Sequence, residues 1–160
     1  MQEKKIEFHY TEYALLRELD ASDIELAQAA IDITEKAYAK YSGFHVGAAV
    51  RLKNGIIITG NNQENAAYPS GLCAERVALF YANAQYPDEP IVALAVAAKN
   101  HDVLVSLPTA PCGACRQVIL ETEVRFQQPI RMILVGQDKI FVVPGVKELL
   151  PLSFDFHAFK

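Results

Sequence analysis

The chain has 160 residues, which is the size of one ordinary domain. Apolar residues make up 51% and charged residues 21%, and the net charge is -4 without a basic run, so the composition is globular and argues against a broad nucleic-acid surface. The first residues lack an apolar stretch of signal-peptide length and no segment is apolar enough to span a bilayer, so we expect no membrane insertion and a cytoplasmic location.

The chain begins with a mixed arm over residues 1–20, and residues 21–160 are expected to form a single domain. Within that domain, Ser22-Asp23-Ile24-Glu25 has the form of a capping box. The pattern predicts a helix from this point to about Ala39.

A hairpin is predicted next. Residues 46–52 have the composition of a strand, and residues 56–60 can return as its partner. Lys53-Asn54-Gly55 joins them, because Asn-Gly suits a tight turn between antiparallel strands.

The remaining elements alternate between helices and strands. Turn formers make residues 61–72 a loop. The later elements are predicted as helices over 73–83 and 112–121, strands over 91–98, 130–135 and 140–143, and a short helix over 146–150. This order predicts an α/β fold with three α/β/α layers and a mixed sheet of about five strands.

All three cysteines lie in two short motifs, Cys73-Ala74-Glu75 and Pro111-Cys112-Gly113-Ala114-Cys115. Three thiolates are three of the four ligands that tetrahedral zinc requires, and an open fourth position is typical of catalytic zinc. Each motif lies where a helix is predicted to start, and a helix N-terminus lowers the pKa of a thiol. We therefore predict one zinc ion per chain, bound by Cys73, Cys112 and Cys115, with Glu75 as a proton carrier beside it.

Three thiolates on one zinc ion leave a net negative charge, which a nearby cation should offset. Arg76 and Arg116 each directly follow a residue of the two motifs. A hydrogen bond from an arginine to a ligand sulfur would weaken electron donation by the thiolate, and we expect Arg76 to play this part.

Other interpretations of the cysteines remain open at this point. Cys112 and Cys115 could be a redox pair with Cys73 as a buried apolar residue, although this leaves the position of Glu75 unexplained. A purely structural zinc site would need a histidine as fourth ligand, and no histidine has conventional ligand spacing to a cysteine. The histidines are His9, His45, His101 and His157.

From about Ala37 to Phe154, the chain resembles cytidine deaminases, specifically the small type with an all-cysteine zinc site. The metal motif is shared among zinc-dependent nucleobase deaminases, whereas Asn62-Gln63-Glu64-Asn65 is more specific to nucleoside substrates. The matching segments are AYAKYSGFHVGAA at 37–49, NQENAAY at 62–68, CAER at 73–76, PCGACRQ at 111–117 and ELLP at 148–151.

The resemblance implies a set of binding roles. Asn62 and Glu64 would hold the ribose 3'-hydroxyl, Phe44 would pack near the pyrimidine, and Phe154 of a neighbouring subunit would help to cover the base. The active form would be a homotetramer. Further substrate contacts would come from Ala74 and, towards a neighbour's site, from Ala66 and Tyr68.

The tail of the chain carries Phe154, Phe156 and Phe159. Three aromatics so close together exceed what a monomer surface usually exposes, so we expect a partner surface to cover them. The alternative is that the tail folds back on its own subunit.

The activity implied by the resemblance is hydrolysis of the 4-amino group of cytidine or 2'-deoxycytidine, with Glu75 moving the protons. A related substrate, such as blasticidin S or a modified cytosine nucleoside, is the rival within the same chemistry. A non-catalytic zinc-stabilised binding protein is the rival from another class, but such a protein has no need of Glu75.

Overall fold

A mixed sheet of seven strands organises the protein in the computed structural model, which describes residues 1–155. The strands are β1 Thr11–Tyr13, β2 Phe44–Leu52, β3 Ile57–Asn61, β4 Ile91–Asn100, β5 Val103–Leu104, β6 Arg131–Val135 and β7 Ile140–Val143. Their order is β1-β7-β6-β4-β2-β3, and β5 pairs with β4. The central pair β4 and β6 is parallel, whereas the other neighbouring pairs are antiparallel.

Helices cover both faces of this sheet. The helices are α1 Ala21–Ile33, α2 Ala74–Gln85 and α3 Gly113–Phe126, and short 3-10 turns occupy Leu16–Glu18, Thr34–Lys36, Tyr68–Ser70 and Val146–Glu148. One core cluster joins α1 to the sheet, and a second joins α2 and α3 to the opposite face. The three-layer α/β/α prediction is therefore confirmed. None of the helices in residues 1–155 is both long and apolar enough to cross a membrane.

The predicted number of about five strands is too low. The two additional strands are β1, with three residues in the arm, and β5, with two residues after β4. Strands this short carry no readable alternation, because their positions are determined by backbone pairing with β7 and β4 rather than by a buried face of their own.

The bounds of the first helix also differ from the prediction. Asp20 caps α1, and its carboxylate accepts a hydrogen bond from the Asp23 backbone N–H at 3.0 Å, so Ser22 lies inside the helix. The helix ends at Ile33 rather than near Ala39, and a 3-10 turn follows it. The chain then extends far enough for Tyr38 to form a bridge with Gln63.

The N-terminal arm lies along the edge of the sheet. Strand β1 pairs with β7, the Tyr10 ring packs on Phe141 with centroids 4.8 Å apart, and Lys139 forms an ion pair with Glu12 at 2.6 Å. The arm is therefore packed against the domain in a defined position.

The expected aromatic tail falls partly beyond the described residues. Phe156 and Phe159 lie outside them, as does His157, whereas Phe154 lies within them.

A glycine in β3 determines how closely α2 approaches the sheet. A Cβ atom added to Gly60 would lie 2.5 Å from the backbone nitrogen of Ala78 and 2.8 Å from the carbonyl oxygen of Ala74. The first turns of α2 therefore lie directly against β3, and the sheet fixes the position of the helix end that carries Cys73 and Glu75.

Candidate active site

Two helix N-termini bring the three cysteines together. Cys73 is the N-cap of α2, Cys112 is the N-cap of α3, and Cys115 lies in the first turn of α3. The Sγ atoms of Cys73 and Cys112 are 3.8 Å apart, those of Cys112 and Cys115 are 3.5 Å apart, and all three lie within 4.8 Å of one another.

The spacing of the sulfur atoms fits a zinc ion. Zinc–sulfur bonds of about 2.3 Å in a tetrahedron place two ligand sulfurs about 3.8 Å apart. Within residues 1–155 the cluster consists of these three thiols, and no described histidine belongs to it. Three protein ligands are typical of a catalytic zinc site, in contrast to the four of a structural site.

Arg76 faces the thiol cluster. Its Nη2 atom lies 3.9 Å from the Sγ atom of Cys73. Hydrogen bonding, first from the Cys115 thiol and then from Arg76, lowers the pKa of Cys73 to about 5, whereas the contact with Cys73 together with burial raises the pKa of Cys115. Arg76 is therefore placed to offset negative charge on the cluster. Arg116 instead donates to two backbone carbonyls, those of Pro111 and Leu149.

Glu75 lies in the first turn of α2 and is only 4% exposed. Burial is the main cause that raises the pKa of its carboxyl group, and the charge of Cys73 acts in the same direction. A carboxyl group with a raised pKa holds and releases protons closer to neutral pH, which suits a general acid–base role.

A cavity of about 370 Å³ joins the thiol cluster to the loop after β3. Eight of the residues predicted for the site line it: Asn62, Glu64, Tyr68, Cys73, Ala74, Glu75, Arg76 and Cys112. The cavity wall also includes Val46, Leu72, Thr109 and Ala110, which sequence reasoning missed. Thr109 and Ala110 directly precede the second metal motif, so their position in the sequence was an available signal.

Three residues predicted to bind substrate do not line this cavity within the described chain. Phe44 is half-buried at the start of β2, and Ala66 is exposed in the loop after β3. Phe154 is 62% exposed, and its backbone carbonyl oxygen accepts a hydrogen bond from Gln117 at 2.8 Å. These three residues therefore do not contribute to the wall of the cavity in this chain.

Asn62 holds the beginning of β2. Its Oδ1 atom accepts the Val46 N–H at 2.8 Å, and its Nδ2 atom donates to the Phe44 carbonyl at 2.9 Å. One N–H of an asparagine amide remains after these two bonds, since the group has two donors. Asn62 can therefore anchor the strand and still offer a donor to a ligand.

Glu64 plays a similar part for the segment before β2. Its carboxylate accepts the backbone N–H of Tyr41 at 2.7 Å and the hydroxyl of Ser42. These bonds, led by that of Ser42, lower the pKa of Glu64. Glu64 is thus a fixed negative group at the cavity, with acceptor capacity left for a hydroxyl group.

Comparison with known proteins agrees with this arrangement. Residues 20–127 match the family described as the cytidine and deoxycytidylate deaminase zinc-binding region. A cytidine deaminase of Halalkalibacterium halodurans is 47% identical over 96 residues, which cover 60% of this chain and 68% of that protein. A blasticidin-S deaminase of Bacillus cereus is 30% identical over 140 residues, which cover 85% of this chain and 94% of that protein.

A solved structure shows the same fold. The crystal structure of cytidine deaminase from Burkholderia pseudomallei superposes with a TM-score of 0.69 at 40% identity, covering 81% of this chain and 97% of that one. The matched region contains both cysteine motifs and the helices that carry them. The chain belongs to the cytidine and deoxycytidylate deaminase zinc-binding family, and its cluster of three cysteines fits a zinc site.

Proposed function

We propose that this chain hydrolyses the 4-amino group of cytidine and 2'-deoxycytidine, giving uridine or 2'-deoxyuridine and ammonia. The observation that carries the proposal is a single cavity lined by two of the clustered thiols, the buried carboxyl group of Glu75 and the polar pair Asn62 and Glu64. The proposed catalytic unit is one domain over residues 21–160, with residues 1–20 as an arm.

In the proposed reaction, a C–O bond forms at C4 of the pyrimidine and the C–N bond to the amino group breaks. Cys73, Cys112 and Cys115 would hold the zinc ion, which would supply a Lewis acid that lowers the pKa of a water molecule. Glu75 takes a proton from the attacking water and delivers it to N3. It then takes the second proton from the new hydroxyl group on C4 and passes it to the leaving amine, which departs as ammonia. Its burial favours this cycle, because the raised pKa brings the neutral and ionised forms closer in free energy.

Recognition of the sugar is assigned to Asn62 and Glu64. The free N–H of the Asn62 amide can donate to the 3'-hydroxyl, and the Glu64 carboxylate can accept from it. Their existing bonds to the backbone around β2 hold both groups in place before a ligand arrives. Ala74, at the start of α2 beside Glu75, supplies a further contact at the cavity wall.

The remaining contacts are assigned to an assembly of four subunits. Phe154 and Tyr68 are 62% and 76% exposed, and the Leu152 side chain beside Phe154 is exposed as well. Contiguous exposed apolar patches mark contacts with partner proteins, and Leu152 and Phe154 lie close together in the sequence. In the proposed homotetramer, Phe154 and Ala66 reach a neighbour's site, and Phe44 packs near the base. Tyr68 lines the cavity of its own chain and also extends towards a neighbour's site.

Blasticidin S is the second candidate substrate, because the Bacillus cereus relative that covers 85% of this chain is a blasticidin-S deaminase. A substrate panel separates the two candidates. Deamination is followed by ultraviolet absorbance, with and without a zinc chelator, for cytidine, 2'-deoxycytidine, cytosine and blasticidin S. We expect chelator-sensitive turnover of both nucleosides. Turnover of blasticidin S alone would move the proposal to that substrate, and no turnover of any compound would refute the deaminase assignment.

A further inference from the structure

Arg116 connects two segments that are far apart in the sequence. Its Nε atom donates to the carbonyl oxygen of Pro111 at 2.8 Å, and its Nη1 atom donates to the carbonyl oxygen of Leu149 at 2.7 Å. Pro111 directly precedes the zinc ligand Cys112, and Leu149 begins the stretch that leads to Phe154. We propose that Arg116 is a positioning residue that ties the loop carrying Cys112 to the C-terminal segment carrying Phe154.

The shape of the arginine side chain explains why one residue can hold both segments. The guanidinium group is a planar fork whose donors point in fixed, diverging directions. Here two of its nitrogen atoms are used by two different carbonyl groups, and the side chain is part-buried where it does so. Hydrogen bonds from a charged donor are stronger than those between neutral groups, so each contact restrains its segment appreciably.

Both ends of this connection are fixed to the rest of the fold. Pro111 is buried, and Arg116 itself lies in the first turn of α3 next to the buried ligand Cys115. At the other end, Leu149 packs against the core cluster beneath α2 and α3. We therefore expect a displacement of the C-terminal segment to shift the backbone beside Cys112 through the Arg116 side chain.

The neighbouring residue Gln117 offers a matched control. Its Nε2 atom donates to the Phe154 carbonyl, so it holds the same C-terminal segment without contacting the metal loop. Arg125 offers a second control on the same helix, since its guanidinium donates to the Pro87 carbonyl in an exposed position. Substituting Arg116 removes the connection between the two segments, and substituting Gln117 removes only the contact with the C-terminal segment. Substituting Arg125 removes a positive charge from α3 without affecting either contact.

The first test uses the zinc-loaded protein without nucleoside. Zinc transfer to a colorimetric chelator and hydrogen exchange of residues 107–115 and 149–155 are measured for Arg116→Met, Gln117→Met and Arg125→Met. Arg116→Met should release zinc roughly tenfold faster, because a lost hydrogen bond to a charged group changes an opening equilibrium by about that factor or more. Arg116→Met should also speed hydrogen exchange in both segments. Gln117→Met should speed it only in residues 149–155, and Arg125→Met should change it in neither segment.

A conservative variant guards against a fold defect. Arg116→Lys retains the charge and can reach one carbonyl but lacks the fork, so it should fall between the wild type and Arg116→Met in zinc release. If Arg116→Met does not fold, Arg116→Lys should still exchange faster in at least one of the two segments. The proposal would be overturned if a folded Arg116 variant released zinc and exchanged amide hydrogens at the same rates as Arg125→Met.

The consequence for substrate rests on the proposed function. If Phe154 covers the base, Arg116→Met and Gln117→Met should both raise KM for cytidine more than they lower kcat. The measurements without nucleoside stay valid if the wild type does not deaminate cytidine, so failure of the proposed function and failure of the Arg116 connection give different results.

Discussion

Replacing Gly60 by alanine should displace α2 and so move Cys73 and Glu75 together. The new Cβ atom would lie 2.5 Å from the Ala78 nitrogen and 2.8 Å from the Ala74 oxygen, whereas ordinary contacts begin at 3.4 Å. The gap between β3 and α2 must therefore widen by about 0.9 Å (3.4 − 2.5), because both neighbours are backbone atoms that no rotamer change can remove.

This displacement predicts losses of stability and of rate. Overpacking of a core typically costs about 1–3 kcal/mol, and each kcal/mol lowers the Tm of a domain of this size by about 2–4 °C. A catalytic group misplaced by about 1 Å can cost roughly 10²-fold in rate. Calorimetry and cytidine turnover measure the two effects, with zinc content determined on the same samples.

A matched glycine in the metal motif supplies the control. Gly113 opens α3 between Cys112 and Cys115, and nothing lies within 4 Å of a Cβ atom added there. Alanine is favoured over glycine by about 1 kcal/mol in a helix interior, and Gly113 is the first residue of α3. Gly113→Ala should therefore keep its activity and have a Tm equal to or slightly above that of the wild type. Wild-type Tm and turnover in Gly60→Ala, or equal losses in both variants, would refute the steric reasoning.

Four further outcomes are expected. Glu75→Gln should keep zinc and fold yet lose at least about 10²–10⁴-fold in turnover, because an amide cannot carry protons; a loss under about tenfold would remove Glu75 from the mechanism. Cys112→Ala should lower zinc content and Tm together, since metal binding is coupled to folding, and full retention of zinc on metal analysis would contradict its role as a ligand. Free cytosine should be a far poorer substrate than cytidine, by up to about 10⁴–10⁵-fold, because Asn62 and Glu64 would lack the sugar hydroxyl; equal kcat/KM values would refute that assignment. Burial raises the pKa of Glu123, whose Oε1 accepts the N–H groups of Ile130 and Val146, so the contribution of Glu123 to wild-type stability should fall as pH rises from 4.5 through the raised folded pKa. Glu123→Gln keeps the acceptor without the charge, so its Tm should match the wild type below that window and exceed it above, and identical curves of Tm against pH would contradict this account.

The sequence predicted those features that depend on local spacing. Cys112 and Cys115 are three residues apart at a helix start, so their convergence follows from helix geometry, and the Asn-Gly turn predicted the β2–β3 hairpin that the structure contains. The order of the strongly apolar segments along the chain predicted the layered fold, and these segments form the helices and strands that pack in the two core clusters.

Features that depend on contacts between distant residues could not be predicted in this way. Arg116 follows Cys115 in the sequence, but successive side chains on a helix point about 100° apart, so adjacency did not place its guanidinium at the sulfur atoms. Its partner Leu149 lies on a different segment, and no local pattern indicates that contact. Strands β1 and β5 escaped prediction for a related reason, since each exists only through pairing with a distant or neighbouring strand.

The pairing of β1 with β7 also determines which strand forms this edge of the sheet. Without residues 11–13, the apolar strand β7 would present a row of unpaired backbone groups, which is a template for aggregation by strand addition. Strand β1 replaces this edge with one only three residues long that carries the ion pair between Glu12 and Lys139, and short charged edges resist further pairing. At this edge of the sheet, the arm therefore disfavours pairing with a further strand, whereas β3 forms the other edge of the sheet.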